Sequence, residues 1–120
     1  MGLDIFFDKR SKLNIGYFRK VNFLVSFFEN LGYNLDNCVP VKIKKEDIVK
    51  LISLCERVLK YHDNAKELLP THSGFFFGST EYDDMYFEDV FEVYKYCQFE
   101  LLPEFDKLNN TEYITFTIDF

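Results

Sequence analysis

The chain has 120 residues, a length at which folding buries about two thirds of the unfolded surface, so one domain with its own core needs no disulfide or metal staple. Its net charge of −6 disfavours direct nucleic-acid binding, which is driven mainly by neutralising phosphates. The three cysteines, Cys38, Cys55 and Cys97, lack CxxC or Cys/His spacing, no basic-then-apolar leader opens the chain, and no apolar run approaches the roughly 20 residues that span a bilayer; a cytoplasmic protein outside the membrane is expected.

In chain order, residues 3 to 7 alternate, with Leu3, Ile5 and Phe7 on one face, and read as a strand. From Tyr17 to Leu31 the positions Tyr17, Phe18, Val21, Leu24, Val25, Phe28 and Leu31 share one helical arc, with Gly32 as a stop, and predict a first helix. Val39 to Ile43 suit a third strand that Pro40 confines to an edge or to the strand's start. A second helix is predicted from about Lys45 to Tyr61, with Glu46 and Asp47 in its first turn and Cys55 among its core residues.

A helical turn near Asn64 to Leu69 ends before Pro70, and Thr71 to Thr80 form a loop. A third helix is predicted from about Glu81 to Leu102, stopped by Pro103, with Phe87, Val90, Phe91, Tyr94, Cys97 and Leu101 inward. Ile114, Phe116, Ile118 and Phe120 alternate with polar residues in a last strand. Two terminal strands with one apolar face each imply an α+β fold: three main helices on one face of a small, antiparallel-containing sheet that holds both termini.

The loop Gly74-Phe-Phe-Phe-Gly-Ser-Thr80 sets two glycines and two hydroxyls ahead of a helix N-terminus. The structural reading makes Thr80 the cap, has Asp83 answer it as an imperfect capping box, and sends the phenylalanines into the core. The ligand reading uses Asp83 and Asp84 as oxygen donors near Ser79 and Thr80, although the first-turn acids repel a bare phosphate and no Walker-type lysine precedes the hydroxyl. A protein-binding loop is the remaining reading. His62 and His72 lack partners at metal-ligand spacing and read as loop histidines, so neither a metal, a cofactor nor a catalytic set is implied.

Charge is unevenly placed. Lys9, Arg10, Lys12, Arg19 and Lys20 stand among residues 9 to 20 without an acid, whereas 79 to 106 hold nine acids against Lys95. Glu81, Asp84, Glu88 and Glu92 recur at helical spacing as an acidic stripe, suited to a basic partner, to imitation of a line of phosphates, or to a solvated face. Arg19 and Lys20, with Phe23 on the outer flank of the first helix, form a second candidate surface.

The opening Met1-Gly-Leu-Asp4, the segment Ile15-Gly-Tyr-Phe-Arg-Lys20 and the segment Leu69-Pro-Thr-His-Ser-Gly-Phe-Phe-Phe-Gly-Ser-Thr-Glu-Tyr-Asp83 together resemble a family of small proteins encoded by tailed bacteriophages and prophages. Where relatives often carry Trp, His and Trp, this chain has Phe18, Val25 and Phe27, replacements that suit packing positions. The resemblance implies a bacterial host cytoplasm as the setting; together with the small size, the uneven charge and the lack of a catalytic constellation, it leads to the expectation of an accessory factor that binds a host protein and modulates or inhibits it, as a component of antiviral defence. A small enzyme or nucleotide-binding module centred on residues 74 to 84 is the alternative, and a homo-oligomer is compatible with either.

Overall fold

Alternating apolar residues at the two ends of the chain meet in one sheet. The computed structural model describes residues 2–10 and 13–120, so Met1 and Lys12 of the readings above lie outside the described residues. Strands β1 (Asp4–Lys9), β2 (Leu13–Arg19), β3 (Val41–Ile43) and β4 (Ile114–Asp119) form an antiparallel sheet in the order β2-β1-β4-β3. β1 and β4 are its centre, with Ile5 opposite Ile118 and Phe7 opposite Phe116. β3 is the edge that Pro40 predicts.

The inward face, Leu3, Ile5, Phe7, Ile114, Phe116 and Ile118, is buried beneath the helices α1 (Phe23–Asn30), α2 (Lys45–Lys60), α3 (Ala65–Leu68), α4 (Asp84–Tyr96) and α5 (Leu102–Asp106). This is the α+β arrangement expected, and each large apolar side chain so buried contributes roughly 1.5–3 kcal/mol. Phe28 lies on Phe116 with ring centroids 4.2 Å apart, the closest Phe–Phe contact of the core. Among the described residues no helix is long and apolar enough to cross a membrane.

α2 follows its sequence closely. Asp47 accepts a hydrogen bond from the Lys44 amide at 2.9 Å, acids stand in the first turn, Arg57 and Lys60 in the last, and Ile48, Leu51, Ile52, Cys55 and Val58 face the core. Burial pushes the Cys55 thiol up to about 12, as suits a packing residue. α1 ends as Gly32 implies: the Gly32 amide donates to Glu29 O and the Tyr33 amide to Phe28 O, which closes the last turn.

The first helix starts later than its periodicity suggests. Tyr17 and Phe18 belong to β2, because Gly16 and the β-prone Tyr17 and Phe18 pair with β1, and Lys20, at φ 59°, breaks the chain direction before α1. Val25 and Phe27 are buried in α1 and Phe18 is half-buried in the strand, so all three serve packing. A register shift between Phe7 and Asp8 marks a bulge at Ile15, whose carbonyl is taken by Tyr96 Oη at 3.0 Å. A Cβ on Gly16 would lie 2.1 Å from that same hydroxyl, so the close approach of α4 to β2 requires glycine there.

The third helix differs at both ends. Asp83, not Thr80, is the N-cap: it is extended, and its carboxylate accepts from the Tyr86 amide at 3.1 Å, so α4 begins at Asp84. Pro103 does not stop the helix. Residues 97 to 101 form a π-turn in which the Leu102 amide reaches Cys97 O, and this wide turn admits a proline, which has no amide to donate, into the first turn of α5. The buried arc is correspondingly rotated: Tyr86, Val90, Val93, Tyr96, Cys97 and Leu101 face inward, while Phe91 is 47% exposed.

Candidate functional site

Three separated segments, Gly2–Asp4, Ile15–Lys20 and Leu69–Asp83, meet at one corner of the molecule, beyond the Arg19 end of β2. The Lys20 amide donates to Leu3 O at 2.7 Å and the Leu3 amide donates to Phe76 O at 2.8 Å, so Leu3 ties the end of β2 to the loop. Asp4 accepts from Arg19 Nη1 at 3.2 Å and from Tyr17 Oη at 2.5 Å, and the hydrogen bond with the Asp4 carboxylate raises the Tyr17 hydroxyl.

Asn22 is the centre of this corner. An Asn ahead of a helix ordinarily caps it, yet the Asn22 side chain makes no cap bond and turns to the loop instead. Its amide nitrogen donates to Phe77 O and Ser79 O, both at 3.0 Å, and its oxygen accepts from the His72 amide at 3.0 Å. The side chain is buried, so these bonds satisfy groups that would otherwise be costly to desolvate.

Further bonds close the loop. Thr71 Oγ1 donates to Thr80 O at 3.0 Å, the Thr71 amide donates to Tyr82 Oη at 3.1 Å, and Ser26 Oγ donates to Thr71 O at 3.3 Å. Tyr86 Oη donates to Leu69 O at 2.7 Å, and burial raises that hydroxyl well above its ordinary range. His72 places Nε2 2.7 Å from Glu29 Oε1 and Nδ1 2.7 Å from Ser73 O, so both ring nitrogens are occupied away from the Ser73 hydroxyl. His62 stacks on Phe87 at 3.8 Å.

A cleft of about 290 Å³ opens beside Asn22 and the clamp that its hydrogen bonds form on the loop, near the lower limit of small-molecule pockets. Val21, Phe23 and Tyr86 supply apolar lining, Arg19 and Lys20 a cationic wall, and Glu81, Asp83 and Asp89 an acidic one, with Ser79 and Met85 also lining it. Two left-handed residues line it, Lys20 at φ 59° and Gly78 at 91°, and Phe76 of the adjoining loop is left-handed too, at 64°. A phenylalanine in that region is an outlier, and such strain persists only where the surroundings over-determine it. Gly78 suits its φ, and Gly74 admits the Phe77 ring, which a Cβ there would approach to 2.9 Å.

Asp89 is the electrostatic feature of the cleft. It is half-buried, and desolvation first, then the charges of Glu88, Asp83 and Glu92, push its carboxyl up to about 6.

The structure redistributes the predicted site residues. Ser79 and Asp83 line the cleft with Glu81, Arg19 and Lys20, whereas Asp84 and Thr80 do not, so the paired Asp83 and Asp84 carboxylates do not converge there. Among the described residues no group of three or more His, Cys, Asp or Glu side chains is placed to hold a metal ion. Asp84, Glu88 and Glu92 are exposed along α4, but Glu81 precedes the helix, its amide held by Ser79 Oγ at 3.1 Å, and it leaves the stripe. Phe23 is buried at 2% exposure against the Tyr86 ring, not on an outer flank, because the chain reversal at Lys20 turns it inward.

The phenylalanines also part company. Phe77 is buried between His72 and Phe120, but Phe75 is 85% exposed and Phe76 48%. The tight turn, in which the Phe77 amide reaches Gly74 O at 3.2 Å, has room beneath it for one ring. Sequence reasoning missed Asn22, Asp89 and Met85. Asn22 carried a signal, a polar residue inside the apolar run Val21 to Phe28; Asp89 and Met85 carried none beyond helical spacing. No protein-family model matches the chain, and no curated protein or solved structure is significantly similar to it.

Proposed function

We propose that the protein is an interaction protein, a phage-type accessory factor that docks on a host protein through the corner formed by the cleft and the Phe75–Phe76 loop, and modulates or inhibits it. One observation carries this reading: the loop is held by hydrogen bonds from the buried Asn22 side chain and from Thr71, yet it presents Phe75 and Phe76 to solvent. Aromatic side chains held in place before contact lose little entropy on binding, and such anchors dominate protein interfaces. Met85, 70% exposed at the cleft rim, extends the apolar surface, and the acids Asp84, Glu88 and Glu92 beside it would steer a basic partner. The resemblance to phage-encoded proteins rests on the segments that meet here and supplies the bacterial setting and the antiviral-defence context.

Affinity capture from bacterial lysate tests the reading when run beside the double variant Phe75→Ser, Phe76→Ser. The variant should retain its melting temperature to within a few degrees and lose the captured partner; full retention of every captured protein would contradict the reading. A second reading, a small ligand in the cleft, is favoured by the destabilised Asp89 carboxyl that lines it. A rise in melting temperature with a ligand, lost in Asp89→Asn, would support it.

A further inference from the structure

Among the described residues β2 has a neighbouring strand on one side only, since it is the first in the order β2-β1-β4-β3. Antiparallel pairs alternate between those that exchange hydrogen bonds and those that do not. The Lys20 amide bonds to Leu3 O, so the next pair, Asp4 with Arg19, and then Phe6 with Tyr17, leave the peptide groups of Arg19 and Tyr17 facing away from β1. Both residues are exposed. The bulge at Ile15 ends this free stretch, because Tyr96 already occupies the Ile15 carbonyl.

Along the helical side of that edge runs a hollow between Phe18 and the margin of α4, lined by Glu92, Lys95, Tyr96, Phe99 and Glu100. Phe99 and Glu100 stand in the π-turn, and Phe99 is 69% exposed. Such wide turns recur at functional sites.

Charge selects the occupant. Glu92 is bridged to Lys95 at 3.1 Å, while Glu100 makes no ion pair among the described residues. An acid without an ion partner beside the exposed Phe99 suits a cation carried on an apolar stem. The geometry points to strand addition by a different chain: an extended segment of the partner pairs with the Tyr17 and Arg19 peptide groups and turns a Lys or Arg toward the helices. Its alkyl stem lies on Phe18 and Phe99, and its cation reaches Glu100. This inference rests on the interaction reading above and names the chemistry of the partner.

The probe is a short synthetic peptide alternating Lys and Val, compared with the same peptide carrying a central proline and with a Glu/Val counterpart, each titrated into the full chain by amide NMR. The Lys/Val peptide should shift the Tyr17, Arg19 and Glu100 amides, and affinity should fall by about tenfold for the proline peptide or for Glu100→Lys. Equal binding of the proline peptide, or shifts that spare the β2 edge, would overturn strand addition. The captured host protein separates the two readings. If Phe75→Ser, Phe76→Ser loses it while Tyr17→Pro, shown folded by its melt, keeps it, strand addition is wrong and the interaction reading stands. Loss in both supports both, and retention in both overturns both.

Discussion

α2 and α4, of 16 and 13 residues, are the two long helices, and they treat their surfaces differently. The outer face of α2 mixes Lys45, Glu46, Lys50, Glu56, Arg57 and Lys60, with Glu46 and Asp47 in the first turn and Arg57 and Lys60 in the last, as the helix dipole favours. That of α4 sets Asp84, Glu88 and Glu92 in a row against Lys95, exposes Met85 and Phe91, and half-buries Asp89 without its charge neutralised. Like charges at this spacing destabilise a helix by roughly 0.2–0.5 kcal/mol per pair. α2 exposes one large apolar side chain, Val49, and orders its terminal charges with the dipole, whereas α4 retains several features that cost the free protein stability and that the proposed partner would relieve.

The largest expected effect breaks the cleft side of that contrast. Asn22→Ala leaves the His72 amide and the Phe77 and Ser79 carbonyls unpaired and should cost about 3–4 kcal/mol. The start of α2 is the comparison: Asp47→Ala loses the bonds from the Lys44 amide and the Tyr33 hydroxyl and should cost about 1–2 kcal/mol. Denaturant unfolding measures both, and equal losses would remove the special standing of the clamp. Next, Gly16→Ala drives a methyl into Tyr96 Oη and should cost about 2–3 kcal/mol, as α4 is forced off β2.

Asp89→Asn should do the opposite. The folded state raises this carboxyl from 3.8 to about 6, so it holds its proton more tightly than the unfolded chain does, and stability is lost as pH rises between those values. The isosteric amide should therefore stabilise the protein at pH 7 by about 1 kcal/mol, after discounting for solvent screening, with the gain gone near pH 4. Melts across that range test the sign, and a stabilised variant that binds less well would mark Asp89 as a functional residue. The smallest effect is that of Phe75→Ser, which should change stability by less than about 0.5 kcal/mol.

The terminal strands and α2 were legible because their apolar residues keep one period without interruption, and the punctuation at Gly32 after α1 and Pro40 before β3 acts locally; β2 was not legible. The start of α1 was misread because Tyr17 and Phe18 satisfy a helical and a strand pattern at once, and the pairing of β2 with β1 decided between them. Pro103 misled because its effect depends on the π-turn before it, which no residue type announces. The corner was visible only in part: Gly78, Ser79 and Asp83 stood out, but Asn22 acts on residues some 50 positions away, a relation that no local pattern encodes.

The central claim is that the loop is fixed before any partner arrives, with Phe75 and Phe76 outward. Native-state hydrogen exchange of the free protein tests it most directly. The Thr71, His72 and Phe77 amides, though outside regular structure, donate to Tyr82 Oη, Asn22 Oδ1 and Gly74 O. They should exchange at least about 100-fold more slowly than in an unstructured chain, and Asn22→Ala should abolish that protection at His72. Exchange at unstructured rates in the unmodified protein would contradict the account.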